Sequence, residues 1–112
     1  MEISKELLSI ILGEKAYDIK CVSDNIISFY TDYDQYEEIN IYELAHKCKE
    51  WAYRQGFIID TGFHKNYINQ FKANCYGWVS TNIDIKKDFN KCTEFEVVIE
   101  SCQWIVNKNI IG

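Results

Sequence analysis

The strongest constraint on the fold is a change of hydrophobic period along the chain. Thr93-Glu94-Phe95-Glu96 fits the capping-box pattern T-x-x-E and stands directly before a periodic apolar run. Phe95, Val98, Ile99, Cys102, Ile105 and Val106 then share one stripe ~120° wide at ~100° per residue. A second helical stripe is Ile41, Leu44, Ala45, Cys48, Trp51 and Ala52. It predicts a helix from about Ile41 to Gln55, capped by Asn40 with Glu43 able to reach back, and stopped at Gly56. A third, short helix is expected where Ser4 can cap the run Leu7, Leu8 and Ile11 and Gly13 can end it.

Between these helices the period drops to two. Ala16–Val22 and Ile26–Thr31 read as strands joined by the turn Ser23-Asp24-Asn25, with Tyr17, Ile19 and Cys21 alternating against Asp18 and Lys20. Asp32 to Glu38 reads as an acidic, tyrosine-rich connection, after which Ile39-Asn40-Ile41 can end a third strand. Phe57–Thr61 is a strand, Gly62 to Gln70 a loop, and Phe71–Thr81 a long alternating strand. Ile83, Ile85 and Phe89 mark a weaker one beyond a turn near Asn82. This order argues an α+β fold: a small single-domain sandwich over residues 1–112, mainly antiparallel sheet with two longer helices and a short N-terminal one. Residues 1–39 would form the first helix and an acidic hairpin, and residues 40–107 the core.

Composition removes several function classes. The chain is 47% hydrophobic, too apolar for a disordered acidic tail. No apolar run reaches the roughly 18 residues of a membrane span. The start Met1-Glu2-Ile3-Ser4-Lys5 lacks a basic n-region, which argues against a secretory signal and for a cytoplasmic protein. The net charge of −5 and the single arginine, Arg54, argue against coating nucleic acid directly. The acidity is uneven: residues 1–50 hold 11 acids and 5 bases, residues 51–112 hold 6 acids and 7 bases.

No catalytic or cofactor motif is present. There is no Walker loop, no G-x-G-x-x-G, no G-x-S-x-G and no H-E-x-x-H. The five cysteines, Cys21, Cys48, Cys75, Cys92 and Cys102, form no C-x-x-C pair, and an odd count suits free thiols in a reducing compartment. His46 and Cys48 would lie ~200° apart on a helix and cannot share a metal. Asp32-Tyr33-Asp34-Gln35-Tyr36 lacks the third ligand and the glycine of a calcium loop. Cys48, Cys75 and Cys102 fall on apolar faces, where a thiol is inert; Cys21 and Cys92 are the two that can be accessible. The expectation is therefore a protein without catalytic, cofactor-binding or metal-binding residues.

Two segments carry a family likeness. Asn40-Ile41-Tyr42-Glu43-Leu44-Ala45-His46-Lys47-Cys48-Lys49-Glu50-Trp51-Ala52 and Thr93-Glu94-Phe95-Glu96-Val97-Val98-Ile99-Glu100-Ser101-Cys102-Gln103-Trp104-Ile105 resemble a pattern in small phage and prophage proteins with an α/β sandwich domain. The likeness spans residues 40–107. It departs from the pattern at Cys92, where an acid is usual, and at Phe95, where a proline is usual. The resemblance implies mobile-element ancestry and a cytoplasmic setting in a bacterial host, and brings no catalytic residue. By analogy with such proteins, the partner would be a bacterial host protein, including nucleic-acid-binding complexes of anti-phage defence such as CRISPR-Cas, which the chain would bind and inhibit.

Two surfaces are candidates for that contact. One is the acidic tract Asp32, Tyr33, Asp34, Tyr36, Glu37 and Glu38, either a solvated face or a patch that docks on a basic surface. The other is Trp104, ~200° from Cys102 around the last helix, with Val97 at ~220°. That second apolar strip is either covered by another element or is an interface, including that of a structural homodimer. A small-ligand pocket lined by Trp51, Tyr76 and Trp78 is the remaining alternative, against the simpler role of these rings as core.

Overall fold

The structure, a computed structural model, describes residues 3–31, 35–65, 73–81, 83–91 and 93–111. It is α+β, with two antiparallel three-stranded sheets and three helices. The chain forms two compact units, Met1–Cys48 and Lys49–Gly112. No described helix is long and apolar enough to cross a membrane.

The first unit opens with α1 (Lys5–Leu12). The Leu7 N–H donates to Ser4 Oγ at 3.1 Å, and Gly13 closes the helix at φ 75°, a left-handed turn that suits a residue without Cβ. Leu7, Leu8 and Ile11 are buried, and α1 packs on the first strand, β1 (Ala16–Ser23), where Ser9 Oγ accepts from the Ala16 N–H at 3.0 Å. β1 pairs with β2 (Ile26–Thr31), and β2 with β3 (Tyr36–Asn40). Ile27, Phe29 and Ile39 are buried on one face of this sheet. The acidic connection is thus shorter than its composition suggests, because Tyr36, Glu37 and Glu38 are strand. Asn40 accepts the Tyr42 N–H at 2.8 Å and so opens α2 (Ile41–Arg54).

The alternation read in β1 does not hold. Asp18 adopts φ 52°, and the register jumps from Tyr17↔Tyr30 to Lys20↔Ser28. This bulge turns Lys20 onto the same face as Tyr17. Asp is one of the few non-glycine residues that visit this conformation, so no glycine marks the bulge in the sequence.

The second unit takes the end of α2, then β4 (Ile58–Lys65), β5 (Ala73–Ser80), β6 (Ile85–Lys91) and α3 (Glu94–Ile111). β4 continues through Gly62–Lys65, which the sequence suggested as loop, because β5 pairs with it throughout, from Ile58↔Ser80 to Lys65↔Ala73. Phe71 and Lys72, the start of the expected long strand, lie outside the described residues. α3 begins as its capping box predicts, with the Glu96 N–H donating to Thr93 Oγ1 at 3.2 Å.

α3 lies on this sheet through Val97, one of the two residues of the strip that the sequence leaves either covered or an interface. Val97 is fully buried, and a Cβ on Gly77 of the central strand would collide with its Cγ1. The helical angle assigned to Val97 is right, but the sheet occupies that side. Ser101, one turn on, is also fully buried and donates to the Val97 carbonyl at 2.7 Å, so a small, satisfied side chain permits the close approach. At the N-terminal end of the same face, Glu94 Oε1 accepts from Lys49 Nζ and Thr61 Oγ1, both at 3.0 Å. At the other end Trp104 meets Phe57 edge-on, with centroids 5.9 Å apart.

Two outcomes follow from this packing. A Gly77→Ala chain would also place its Cβ 2.9 Å from the Asp60 carbonyl oxygen, so the urea midpoint should fall by the equivalent of about 1–3 kcal/mol. Adding Val97→Ala should return only part of that loss, since the carbonyl stays. Glu94 is held below the ordinary carboxylate range, first by Lys49 and then by Thr61. Its contribution is therefore complete above the unfolded carboxyl pKa and lost as pH falls through the lower folded value. Glu94→Gln should flatten the acid side of the stability–pH curve; this pair is partly exposed, so the effect should stay under about 1 kcal/mol.

Candidate functional site

Period-two strands put residues 26, 28 and 30 of β2 on the face opposite Ile27 and Phe29. Cross-strand pairing then aligns Tyr17, Tyr30 and Tyr36 in one row across all three strands. The rings touch in sequence. Tyr17 and Tyr30 stack with centroids 6.2 Å apart, and Tyr30 meets Tyr36 edge-on at 5.7 Å. Each such pair contributes about 0.5–1.5 kcal/mol beyond its buried area, so the row is a preformed platform. It remains open to solvent, with Tyr30 37% and Tyr36 52% exposed.

Polar groups frame the row. Lys15 Nζ lies over the Tyr17 ring, 5.9 Å from its centroid. At the other end the Tyr36 hydroxyl donates to Glu38 Oε1 at 2.6 Å. That bond to a carboxylate stabilises the protonated phenol and raises the Tyr36 pKa, against a smaller opposing hydrogen bond from Ser28. The neighbouring cross-strand row is Lys20, Ser28 and Glu38; Ser28 is buried in its middle although it belongs to the outer face.

The structure divides the residues singled out by sequence. Tyr36 and Glu38 come together on the outer face. Glu37 does not join them: it pairs with Phe29 on the opposite face and is half-buried, because adjacent strand residues point to opposite sides. Asp32, Tyr33 and Asp34 lie outside the described residues. Val97 is core. Trp104 is half-buried, with Phe57 on one side and Lys108 Nζ 4.9 Å from its centroid. The trio suggested for a ligand pocket is split, since Trp51 is buried in α2 while Tyr76 and Trp78 occupy the sheet face turned away from Val97. Tyr17, the third ring of the row, shows in the sequence only as part of an alternating strand; its pairing with Tyr30 depends on register, which no local pattern encodes.

The thiols behave as their patterns indicate. Cys48, Cys75 and Cys102 are buried and Cys21 is exposed, while Cys92 lies outside the described residues. Burial first, and Glu94 second, push the Cys75 thiol up, which disfavours the thiolate. Among the described residues no group of three His, Cys, Asp or Glu side chains could hold a metal. What the row offers is a continuous aromatic surface with hydroxyls and one carboxylate at its edge.

Compared with family models, curated proteins and solved structures, the chain matches none of them.

The geometry predicts a spectroscopic signature. In Glu38→Gln the Tyr36 hydroxyl loses its carboxylate acceptor, so its titration, followed by ring NMR shifts, should move to lower pH.

Proposed function

We propose that this chain is a non-enzymatic binding module that docks on another protein through the Tyr17–Tyr30–Tyr36 row and Glu38. The observation that supports this is the row itself: three rings in consecutive contact, Tyr30 and Tyr36 exposed and Tyr17 half-buried, with a carboxylate anchored at the edge. Tyrosine provides large contact area at small entropic cost and ends in a polar tip, which is why it is enriched at protein interfaces. The Glu38 carboxylate and the acidic first half of the chain favour a partner with a basic surface. Together with the resemblance to phage and prophage proteins, this makes the partner a bacterial host protein whose basic surface serves nucleic acid, and the effect of binding inhibition by occupation of that surface.

The experiment is affinity capture from bacterial lysate at low and high salt, with wild type beside Tyr30→Ala and Glu38→Lys. A specific partner should be lost with Tyr30→Ala by at least ~tenfold. Glu38→Lys should weaken capture mainly at low salt. Partners retained equally by all three proteins would remove the proposal.

A further inference from the structure

The second sheet has an outer face of its own, apart from the tyrosine row. Gly77, Cys75 and Val79 turn toward α3, so Tyr76, Trp78 and Ser80 turn the other way. Pairing sets their neighbours. Trp78 stands between Asp60 on β4 and Asp88 on β6, and Ser80 between Ile58 and Ile85. Ile85 reaches this face because the register shifts between Val79 and Ser80. Beyond it, Ile83 sits on the hairpin turn closed by the Thr81 N–H to the Asp84 carbonyl.

Three features stand out together. Ile58, Ile85 and Ile83 are 37%, 57% and 93% exposed, so one end of the sheet presents a run of aliphatic side chains to water. Trp78 is only half-buried, and its indole is the best aromatic partner for a cation. Asp60 and Asp88 are exposed on either side of it, and neither has a cationic partner among the described residues. An indole between two carboxylates is the complement of one guanidinium or ammonium group, and the adjoining isoleucines are the complement of apolar side chains.

We propose that this face docks a protein segment that carries apolar residues and an arginine or lysine, the cation resting on Trp78 between Asp60 and Asp88. The charges argue against the other occupants. In an isologous pairing of two copies the same carboxylates would approach each other. A phosphate backbone would meet two acids at Trp78, while Lys87 and Lys91 of β6 pair with Val79 and Cys75 of the opposite face and Lys86 is engaged by Asp84 at 3.0 Å.

The test uses the full chain, isotope-labelled, titrated with an amphipathic leucine/arginine helical peptide and, separately, a leucine/glutamate peptide of the same pattern. The first should shift the amide signals of Ile58, Asp60, Trp78 and Asp88, and the second should not. Asp60→Asn with Asp88→Asn should weaken the first peptide by at least ~tenfold, as should Trp78→Leu. Both acids are exposed, so the double variant should keep its circular dichroism and melting temperature. Glu38→Gln should leave this binding unchanged, which separates it from the tyrosine row. Undiminished affinity in the double variant, or shifts confined to Tyr17, Tyr30 and Tyr36, would overturn the proposal. So would self-association of the free chain in sedimentation that Trp78→Leu abolishes, which would make a second copy the occupant.

Discussion

The contact on which the second unit depends is the one between Val97 and Gly77. A helix over a sheet usually rides on side chains from both partners, and here the central strand supplies none at Gly77, between Cys75 and Val79. The helix backbone can therefore come close, and every other polar or aromatic contact along that side of α3 follows from the approach. Glu94, Val97, Ser101 and Trp104 recur at intervals of three and four, so they form a single line facing the sheet. One end of the line is an ion pair with Lys49 and a hydrogen bond from Thr61, and the other is an edge-on ring contact with Phe57. The same placement fixes β5: with Gly77 turned inward, Tyr76 and Trp78 must be outward.

In the first unit the comparable constraint is the bulge at Asp18. Without it, Lys20 would point to the side of Ile27 and Phe29, where a lysine ammonium costs several kcal/mol to bury. The extra residue moves Lys20 to the face that holds Ser28 and Glu38, while Tyr17 keeps its place opposite Tyr30. A strand that begins in one alternation thus continues in the other, and the tyrosine row exists only on the near side of that change.

Most of the elements were legible because they rest on local signals. The caps at Ser4, Asn40 and Thr93 all accept the backbone N–H groups their types predict, and the glycines at 13 and 56 both adopt positive φ. What escaped is long-range. β4 looks like a strand only as far as Thr61, since Gly62 and His64 carry no strand preference; its continuation is imposed by pairing with β5. Val97 showed its angle on the helix but not which side the sheet would take. The acidic tract looked like one patch because neighbours in sequence are easily taken for neighbours in space. In a strand they are not, and Glu37 and Glu38 part company for that reason.

That separation changes how the charge of the first half should be understood. On the outer face of its sheet, Glu38 is offset by Lys20 across Ser28, and Lys15 sits at the far ring. The platform itself carries both signs, and the excess of acids belongs to the first half of the chain as a whole. Distributed charge acts at a distance of about a Debye length, roughly 8–10 Å at physiological salt, and governs how often a basic partner arrives. Stacked rings act only on contact, and govern how long it stays. In the docking proposed above, the carboxylates would therefore serve encounter, and the rings of Tyr17, Tyr30 and Tyr36 would serve residence. An acidic surface alone would exchange partners freely; the aligned rings are what would let this one select.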